Sequence, residues 1–178
     1  MFYRTIMNPL FKLAHGLSST QALNPIILYL LYIKVMKWLI FGEFMQPDTL
    51  EELVENFALF DDWEGRYAYL IDLGKALSPM EEALKTQASL VRGCTSRVWM
   101  VAEEKDGRFY FTADSDAHIV RGLIAILLLA YQGKTAQDIM AVDIEAAFAH
   151  MGLDQHLSPS RRNGFFSMVE RIKTLASS

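Results

Sequence analysis

Residues 98–113 read VWMVAEEKDGRFYFTA, and this stretch decides the fold of the chain. Two runs that are rich in β-forming residues, 98–103 and 108–113, flank the pair Asp106-Gly107, which is typical of a tight hairpin turn. A two-stranded ribbon alone is only marginally stable in water. We therefore expect either a third strand or covering helices to support the hairpin.

Helical patterns lie on both sides of this hairpin. After it, Asp114-Ser115-Asp116 is predicted to cap a buried central helix over 117–132, whose middle is apolar on all sides. Before it, capping acids and apolar residues at a spacing of three to four predict helices over 48–60 and 62–74. The pattern predicts the α+β class, with helices packed around a small antiparallel β-sheet.

The remaining elements follow from local signals. Four further helix starts are predicted from capping residues or from a serine–proline pair, at Ser78, Thr135, Asp143 and Ser158. The last of these helices is expected to end near Leu175. Residues 89–97 have no helical period and contain Gly93, so we interpret them as a loop with a candidate third strand near Leu90.

The composition narrows the function classes. The 178 residues suit one domain, and 52% hydrophobic residues against 21% charged ones are enough for a folded core. The net charge is −4, so the chain has no excess of basic residues, which argues against a general nucleic-acid-binding protein. The only cysteine, Cys94, excludes an internal disulfide and a cysteine-pair zinc site, which makes the cytoplasm the expected compartment.

The first quarter of the chain differs from the rest. Residues 1–44 carry a net charge of +3, whereas residues 45–178 carry −7. A bilayer-spanning helix needs about 20 apolar residues, and the apolar run 26–41 is shorter than that. It also contains Lys34 and Lys37, which are costly to insert into a membrane. We expect residues 1–44 to be an apolar extension or the product of a start assigned too early, and we favour the second. Residues 45–178 are expected to form the domain.

Cys94 is the strongest candidate for chemistry. A lone cysteine is more often a small buried hydrophobe than a reactive group. Here, however, Gly93 gives the loop conformational freedom, and Arg92 and Arg97 flank the thiol. Nearby cations favour the thiolate, which is the nucleophilic form. The residues alone leave a functional thiol and a packing role about equally supported.

A cysteine–histidine pair would make the chain a hydrolase or a thiol transferase that acts on a small molecule. None of the four histidines stands in a recognisable catalytic context, and their scatter does not suit a metal site. They are His15, His118, His150 and His156. The acidic pairs Asp61/Asp62 and Asp114/Asp116 stand at predicted helix starts, where capping explains them. We therefore expect no metal in this chain.

Four blocks of the sequence, taken in order, resemble the SufE family of sulfur-acceptor proteins. Residues 92–99 (RGCTSRVW) are similar to the family's Gly-Cys-x-Ser-x-Val-Trp loop. Residues 61–74 (DDWEGRYAYLIDLG) resemble its amino-terminal helices. Residues 114–123 (DSDAHIVRGL) and 156–164 (HLSPSRRNG) resemble the starts of its central and last helices. The resemblance covers about residues 47–175.

The resemblance implies a role in sulfur transfer. Such proteins take a persulfide sulfur from a cysteine desulfurase of the SufS or CsdA kind, whose cofactor is pyridoxal phosphate, and they stimulate that enzyme. They then pass the sulfur to an iron–sulfur cluster scaffold or another acceptor. Cys94 matches the acceptor cysteine. Thiol exchange needs only a thiolate, an accessible line of attack and a good leaving sulfur, so no cofactor is expected in this chain.

The same matches suggest supporting residues. Gly93 and Arg97 are expected to supply the freedom and the charge of the loop. Asp116 is predicted to hold the loop through hydrogen bonds, and Arg161 to steady a sulfur anion or to contact the desulfurase. Because burial would protect a persulfide between transfers, we predict that Cys94 is largely buried in the resting form. The acidic charge of the domain favours a partner with basic patches.

Overall fold

The computed structural model describes residues 46–177. The predicted extension, residues 1–44, lies outside the described residues, and the predicted domain boundary stays a prediction. Within the described part, helices pack around one two-stranded antiparallel sheet, which confirms the α+β class. None of the described helices combines the length and the hydrophobicity of a membrane span.

Two helices open the described part, as the capping pattern predicts. Helix α1 spans Leu50–Ala58 and helix α2 spans Trp63–Ala76. Asp62 caps α2 by accepting a hydrogen bond of 2.7 Å from an amide in the first turn, as expected. The cap of α1 is Thr49 rather than the predicted Asp48, because the Thr49 hydroxyl is the group that accepts from the first turn.

The central helix, α3, spans His118–Tyr131 and is buried along most of its length. It crosses α2 where two glycines meet. A Cβ atom at Gly122 would lie 2.1 Å from the Leu70 carbonyl oxygen, and one at Gly74 would lie 2.6 Å from the Gly122 amide nitrogen. Since atoms do not approach so closely, only glycine lets the two backbones touch. This crossing fixes α2 against the helix that also supports the sheet.

The hairpin forms where the sequence predicts it. Strand β1 spans Val98–Lys105 and strand β2 spans Arg108–Ser115. Asp106 and Gly107 have positive φ angles of 51° and 73°, which a type I′ turn requires. Each strand is two residues longer than predicted: β1 ends at Lys105 instead of 103, and β2 ends at Ser115 instead of 113.

The edges of this sheet are covered by short pairings. On the β1 side, the candidate third strand is a single bridge between Leu90 and Trp99. On the β2 side, the Gln132 side chain binds the Phe111 amide and carbonyl at 2.6 and 2.9 Å, which imitates a neighbouring strand. Helices supply the remaining support, because α3 packs against β2 and the last helix packs against β1.

Shorter helices and one long helix follow α3 in the described chain. They are α4 (Ala136–Ala141), α5 (Ile144–His150), α6 (Leu153–His156) and α7 (Pro159–Ala176). The predicted starts at Thr135, Asp143 and Ser158 are confirmed, since each side chain accepts a hydrogen bond from an amide in the first turn. The predicted short helix after Ser78 is only a 3-10 turn, Glu82–Leu84.

We predict that Gly122→Ala lowers the free energy of unfolding by about 2 kcal/mol, since the added methyl group forces α2 and α3 apart. Chemical denaturation followed by circular dichroism measures the difference. The matched control is Gln137→Ala, at an exposed position of α4, which should stay within about 0.5 kcal/mol of the wild type. Equal stability of Gly122→Ala and the wild type would contradict the close crossing.

Candidate functional site

The loop that carries Cys94 is closed at its base and rests on α7. The Val91 amide donates a hydrogen bond of 2.8 Å to the Val98 carbonyl, which closes the base. At Gly93 the φ angle is +89°, and a Cβ atom there would lie 2.6 Å from the Ser167 hydroxyl oxygen of α7. Glycine is therefore needed here both for the backbone angle and for the contact with α7.

The Cys94 thiol lies against the first turns of α7. It donates a hydrogen bond of 3.4 Å to the Gly164 carbonyl. Beside it, the hydroxyls of Thr95 and Ser160 form a hydrogen bond. These contacts hold the loop on α7. The Cys94 side chain is partly buried rather than enclosed, which agrees only in part with the burial predicted for the resting form.

A small pocket opens beside the thiol. Its apolar wall comes from α3 and α7 and consists of Val120, Leu123, Phe165 and Met168. Ser96, Ser160 and Arg161 line its polar side, and Arg161 is exposed. The fold thus places a largely apolar cavity next to a sulfur atom, with the exposed Arg161 among its lining residues.

Burial raises the pKa of the Cys94 thiol above its ordinary value. This is the opposite of the expectation that Arg92 and Arg97 favour the thiolate. Both arginines are exposed, so water screens their charges and the effect of burial dominates. The resting thiol is therefore neutral at neutral pH and acts as a hydrogen-bond donor.

Asp116 binds the end of the loop. Its carboxylate accepts hydrogen bonds from the Arg97 amide at 3.1 Å and from the Arg97 Nε at 2.9 Å. The Arg97 guanidinium also lies over the Trp99 ring, 5.4 Å from the ring centroid. The predicted capping role of Asp116 is wrong, because both carboxylate oxygens bind Arg97 and the N-cap of α3 is Ala117.

Asp114 is a buried carboxylate at the end of β2, and it too is not a helix cap. It accepts hydrogen bonds from the amides of Met80 and Ser115. It also forms ion pairs with Lys85, at 3.1 Å, and with Arg121. Burial raises the pKa of this carboxyl, but the hydrogen bonds and the charge of Arg121 outweigh burial and bring the pKa below its ordinary value. Neither basic partner was predicted from the sequence, because Lys85 and Arg121 reach Asp114 through the tertiary fold.

The histidines do not join the site. His118 is exposed at the start of α3, and His156 stacks on Trp63 with the ring centroids 4.7 Å apart. Neither these nor His150 lines the pocket, and His15 lies outside the described residues. Between residues 46 and 177, no cluster of histidine, cysteine or carboxylate side chains could hold a metal ion.

Comparison with known proteins identifies the family. The SufE model, described as an Fe-S metabolism associated domain, matches residues 51–176. The chain belongs to the SufE family. An uncharacterised SufE-like protein of Rhizobium etli is 44% identical over 136 residues, which cover 74% of this chain and 92% of the relative. Another, of Rhizobium meliloti, is 44% identical over 132 residues, which cover 72% of this chain and 94% of the relative.

A solved structure has the same fold. It is the solution structure of a hypothetical protein from Thermus thermophilus, with a TM-score of 0.61 and 18% sequence identity. The match covers 75% of this chain and 96% of the other. At this identity the likeness shows the fold alone. The SufE resemblance found in the sequence is thus confirmed, and with it an association with Fe–S metabolism.

We predict that alkylation of Cys94 by iodoacetamide rises with pH around a higher midpoint in the folded chain than in the chain unfolded in denaturant. The reason is that burial favours the neutral thiol and raises its pKa, so the folded chain stays protonated where the unfolded one has already ionised. Quenched reactions analysed by mass spectrometry give both midpoints. A folded midpoint at or below the unfolded one would contradict the raised pKa.

Proposed function

We propose that this chain accepts a persulfide sulfur from a cysteine desulfurase onto Cys94, stimulates that enzyme by removing its sulfur, and passes the sulfur on for iron–sulfur cluster assembly. The observation that supports this most is the placement of the thiol on a glycine-containing loop, where it is partly buried and hydrogen-bonded to a backbone carbonyl. Membership of the SufE family adds the link to Fe–S metabolism.

The proposed transfer is a thiol exchange. The Cys94 thiolate attacks the outer sulfur of a persulfide on the desulfurase, and a new S–S bond forms at Cys94. The donor's own S–S bond breaks, and its cysteine leaves with the electron pair as a thiolate. The step therefore balances without an oxidant or a reductant. Pyridoxal phosphate in the partner would supply the desulfuration that makes the persulfide.

Opening of the loop would activate the thiol. In the closed loop, burial raises the pKa of Cys94 and the thiol donates to Gly164, both of which disfavour the thiolate. Movement away from α7 breaks this hydrogen bond and exposes the sulfur to water, so its pKa falls toward the ordinary value. Asp116 fixes the loop at Arg97, which leaves the segment between Gly93 and Arg97 as the part that moves.

Closing of the loop would shelter the loaded sulfur. The outer sulfur of a Cys94 persulfide would lie in the pocket beside the thiol, against the apolar side chains of Leu123 and Met168. There it would be kept from reductants and oxidants in solution. Arg161, on the polar side of the pocket, would balance the negative charge of a persulfide anion.

A cysteine-dependent hydrolase or thiol transferase is the alternative, and the site supports it less well. Such an enzyme needs a base within hydrogen-bond distance of its nucleophile. In the described part of the chain, the hydrogen-bond partner of the Cys94 thiol is the Gly164 carbonyl, which cannot take a proton as a histidine does.

The destination and the compartment remain expectations within this proposal. The recipient is an iron–sulfur cluster scaffold or another sulfur acceptor, which would attack the outer sulfur of the Cys94 persulfide in the same way. A carrier that depends on a free thiol needs a reducing compartment, so we expect it in the cytoplasm.

The test is an intact-mass measurement after incubation with the cysteine desulfurase of the source organism, cysteine and pyridoxal phosphate. We predict that the wild-type chain gains one or more sulfur atoms and that Cys94→Ser gains none, because a serine oxygen cannot hold the transferred sulfur. The matched control is Ser78→Ala, at an exposed position outside the site, which should gain sulfur as the wild type does.

The result distinguishes a sulfur carrier from an enzyme that acts on a small molecule and from a thiol that only packs. Sulfur gain on Cys94→Ser, or no gain on the wild type, would contradict a carrier that works through Cys94. Turnover of a small thioester or disulfide without any partner protein would favour the alternative enzyme. Unchanged stimulation of the desulfurase by Cys94→Ser would make the thiol a packing group.

A further inference from the structure

The charge around Cys94 has the opposite sign to the charge of the domain. Residues 45–178 carry a net charge of −7. By contrast, the two segments that meet at the thiol, 91–97 from the loop and 158–169 from α7, contain four arginines and no acidic residue. We call these four side chains the basic face: Arg92, Arg97, Arg161 and Arg162.

The basic face comes from both of the segments that meet at the thiol. Arg92 and Arg97 lie on either side of Cys94 in the loop, and Arg161 lines the pocket beside the sulfur. All four arginines of the face are exposed. One acid, Asp116, lies among them and pairs with Arg97 at 2.9 Å, so the face keeps a net charge of about +3.

The fold itself makes little use of three of these four charges. Within residues 46–177, the side chains of Arg92, Arg161 and Arg162 form no ion pair, in contrast to Lys85 and Arg121, which pair with the buried Asp114. Exposed charges of this kind add little to stability. They also leave the pKa of the resting thiol raised, so they do not serve to activate it in the closed loop.

We propose that the basic face binds a carboxylate-rich surface around the persulfide of the sulfur-donating enzyme. This rests on the proposed function and adds the charge of the partner's docking surface. It also reverses the expectation of a partner with basic patches, which followed from the net charge alone. The guanidinium groups suit this role because each can bind a carboxylate in two parallel hydrogen bonds.

The spread of the charges favours a protein surface over a small anion. Only Arg161 of the face lines the pocket, whereas Arg92 and Arg162 are exposed outside it. A site for a free anion would bring its arginines together in one cavity. Arginines on both segments that meet at the Cys94 sulfur would instead match carboxylates on the protein surface near the partner's persulfide.

The charge pattern would also orient the encounter. An acidic partner is repelled by most of this domain and attracted by the basic face, so it meets the chain with the thiol in front. Steering of this kind raises association rates by about tenfold or more at low ionic strength and is lost as salt screens the charges. Sulfur transfer to Cys94 should therefore slow as the salt concentration rises.

The experiment compares two charge-reversal variants of equal net charge. Arg92→Glu/Arg162→Glu changes the basic face at two exposed positions that make no ion pair in the described residues. Lys75→Glu/Lys105→Glu makes the same change at exposed residues outside the pocket lining. The measurement is the initial rate at which the desulfurase loads sulfur onto the chain, over a series of salt concentrations.

We predict that the basic-face variant is loaded at least about tenfold more slowly than the wild type at low salt, with a smaller difference at high salt. The control variant should keep the rate and the salt dependence of the wild type. Equal alkylation of all three chains by neutral iodoacetamide, together with equal melting temperatures, would assign the loss to docking rather than to the thiol or the fold.

The remaining outcomes separate this inference from the proposed function. If the wild type is loaded and the basic-face variant matches it at every salt concentration, the docking role is overturned and the carrier function stands. If both variants slow equally, net charge rather than the basic face controls the rate, and the docking role is again overturned. If the wild type is never loaded, the carrier function fails, and this inference fails with it.

Discussion

The contact between the Cys94 loop and α7 is the constraint on which the rest of the site depends. It depends on Gly93, whose positive φ angle and missing side chain let the loop backbone approach Ser167 of α7, and on the hydrogen bond from the thiol to the Gly164 carbonyl. The same contact buries the sulfur and raises its pKa. One contact therefore positions the thiol, buries it and disfavours its ionisation. If the loop leaves α7, all three effects end together.

The surrounding fold keeps this contact in place. The hairpin anchors the far end of the loop, and Asp116 binds that end through the amide and the side chain of Arg97. Beneath it, the buried Asp114 joins β2 to Arg121 on α3 and to Lys85 in the preceding segment. The stretch that carries the thiol is held on α7 by side-chain hydrogen bonds, from Cys94 to the Gly164 carbonyl and between Thr95 and Ser160. The ion-paired frame and the loop are thus adjacent, as the proposed carrier, which would have to both store and release sulfur, would need.

Local signals predicted much of the fold, and tertiary contacts explain what they missed. The hairpin turn and the start of α7 could be predicted because Asp106-Gly107 and Ser158-Pro159 determine the backbone conformation of their immediate neighbours. The family resemblance selected Cys94, whereas its partner Gly164 lies far along the chain and follows from no local rule. For the same reason the capping role expected of Asp116 is wrong, whereas the hydrogen bonds to the loop that the resemblance implied for it are present. The flanking arginines were expected to favour the thiolate, but burial favours the neutral thiol.

The central claim is that the closed loop, rather than an inert thiol, keeps Cys94 unreactive. Its most direct measurement is the alkylation rate of Cys94 in Asp116→Ala and in the wild type at one pH, with Asp72→Ala as the control because Asp72 pairs with Lys75 away from the loop. The account predicts severalfold faster alkylation in Asp116→Ala and an unchanged rate in the control. Equal rates in all three chains would contradict it.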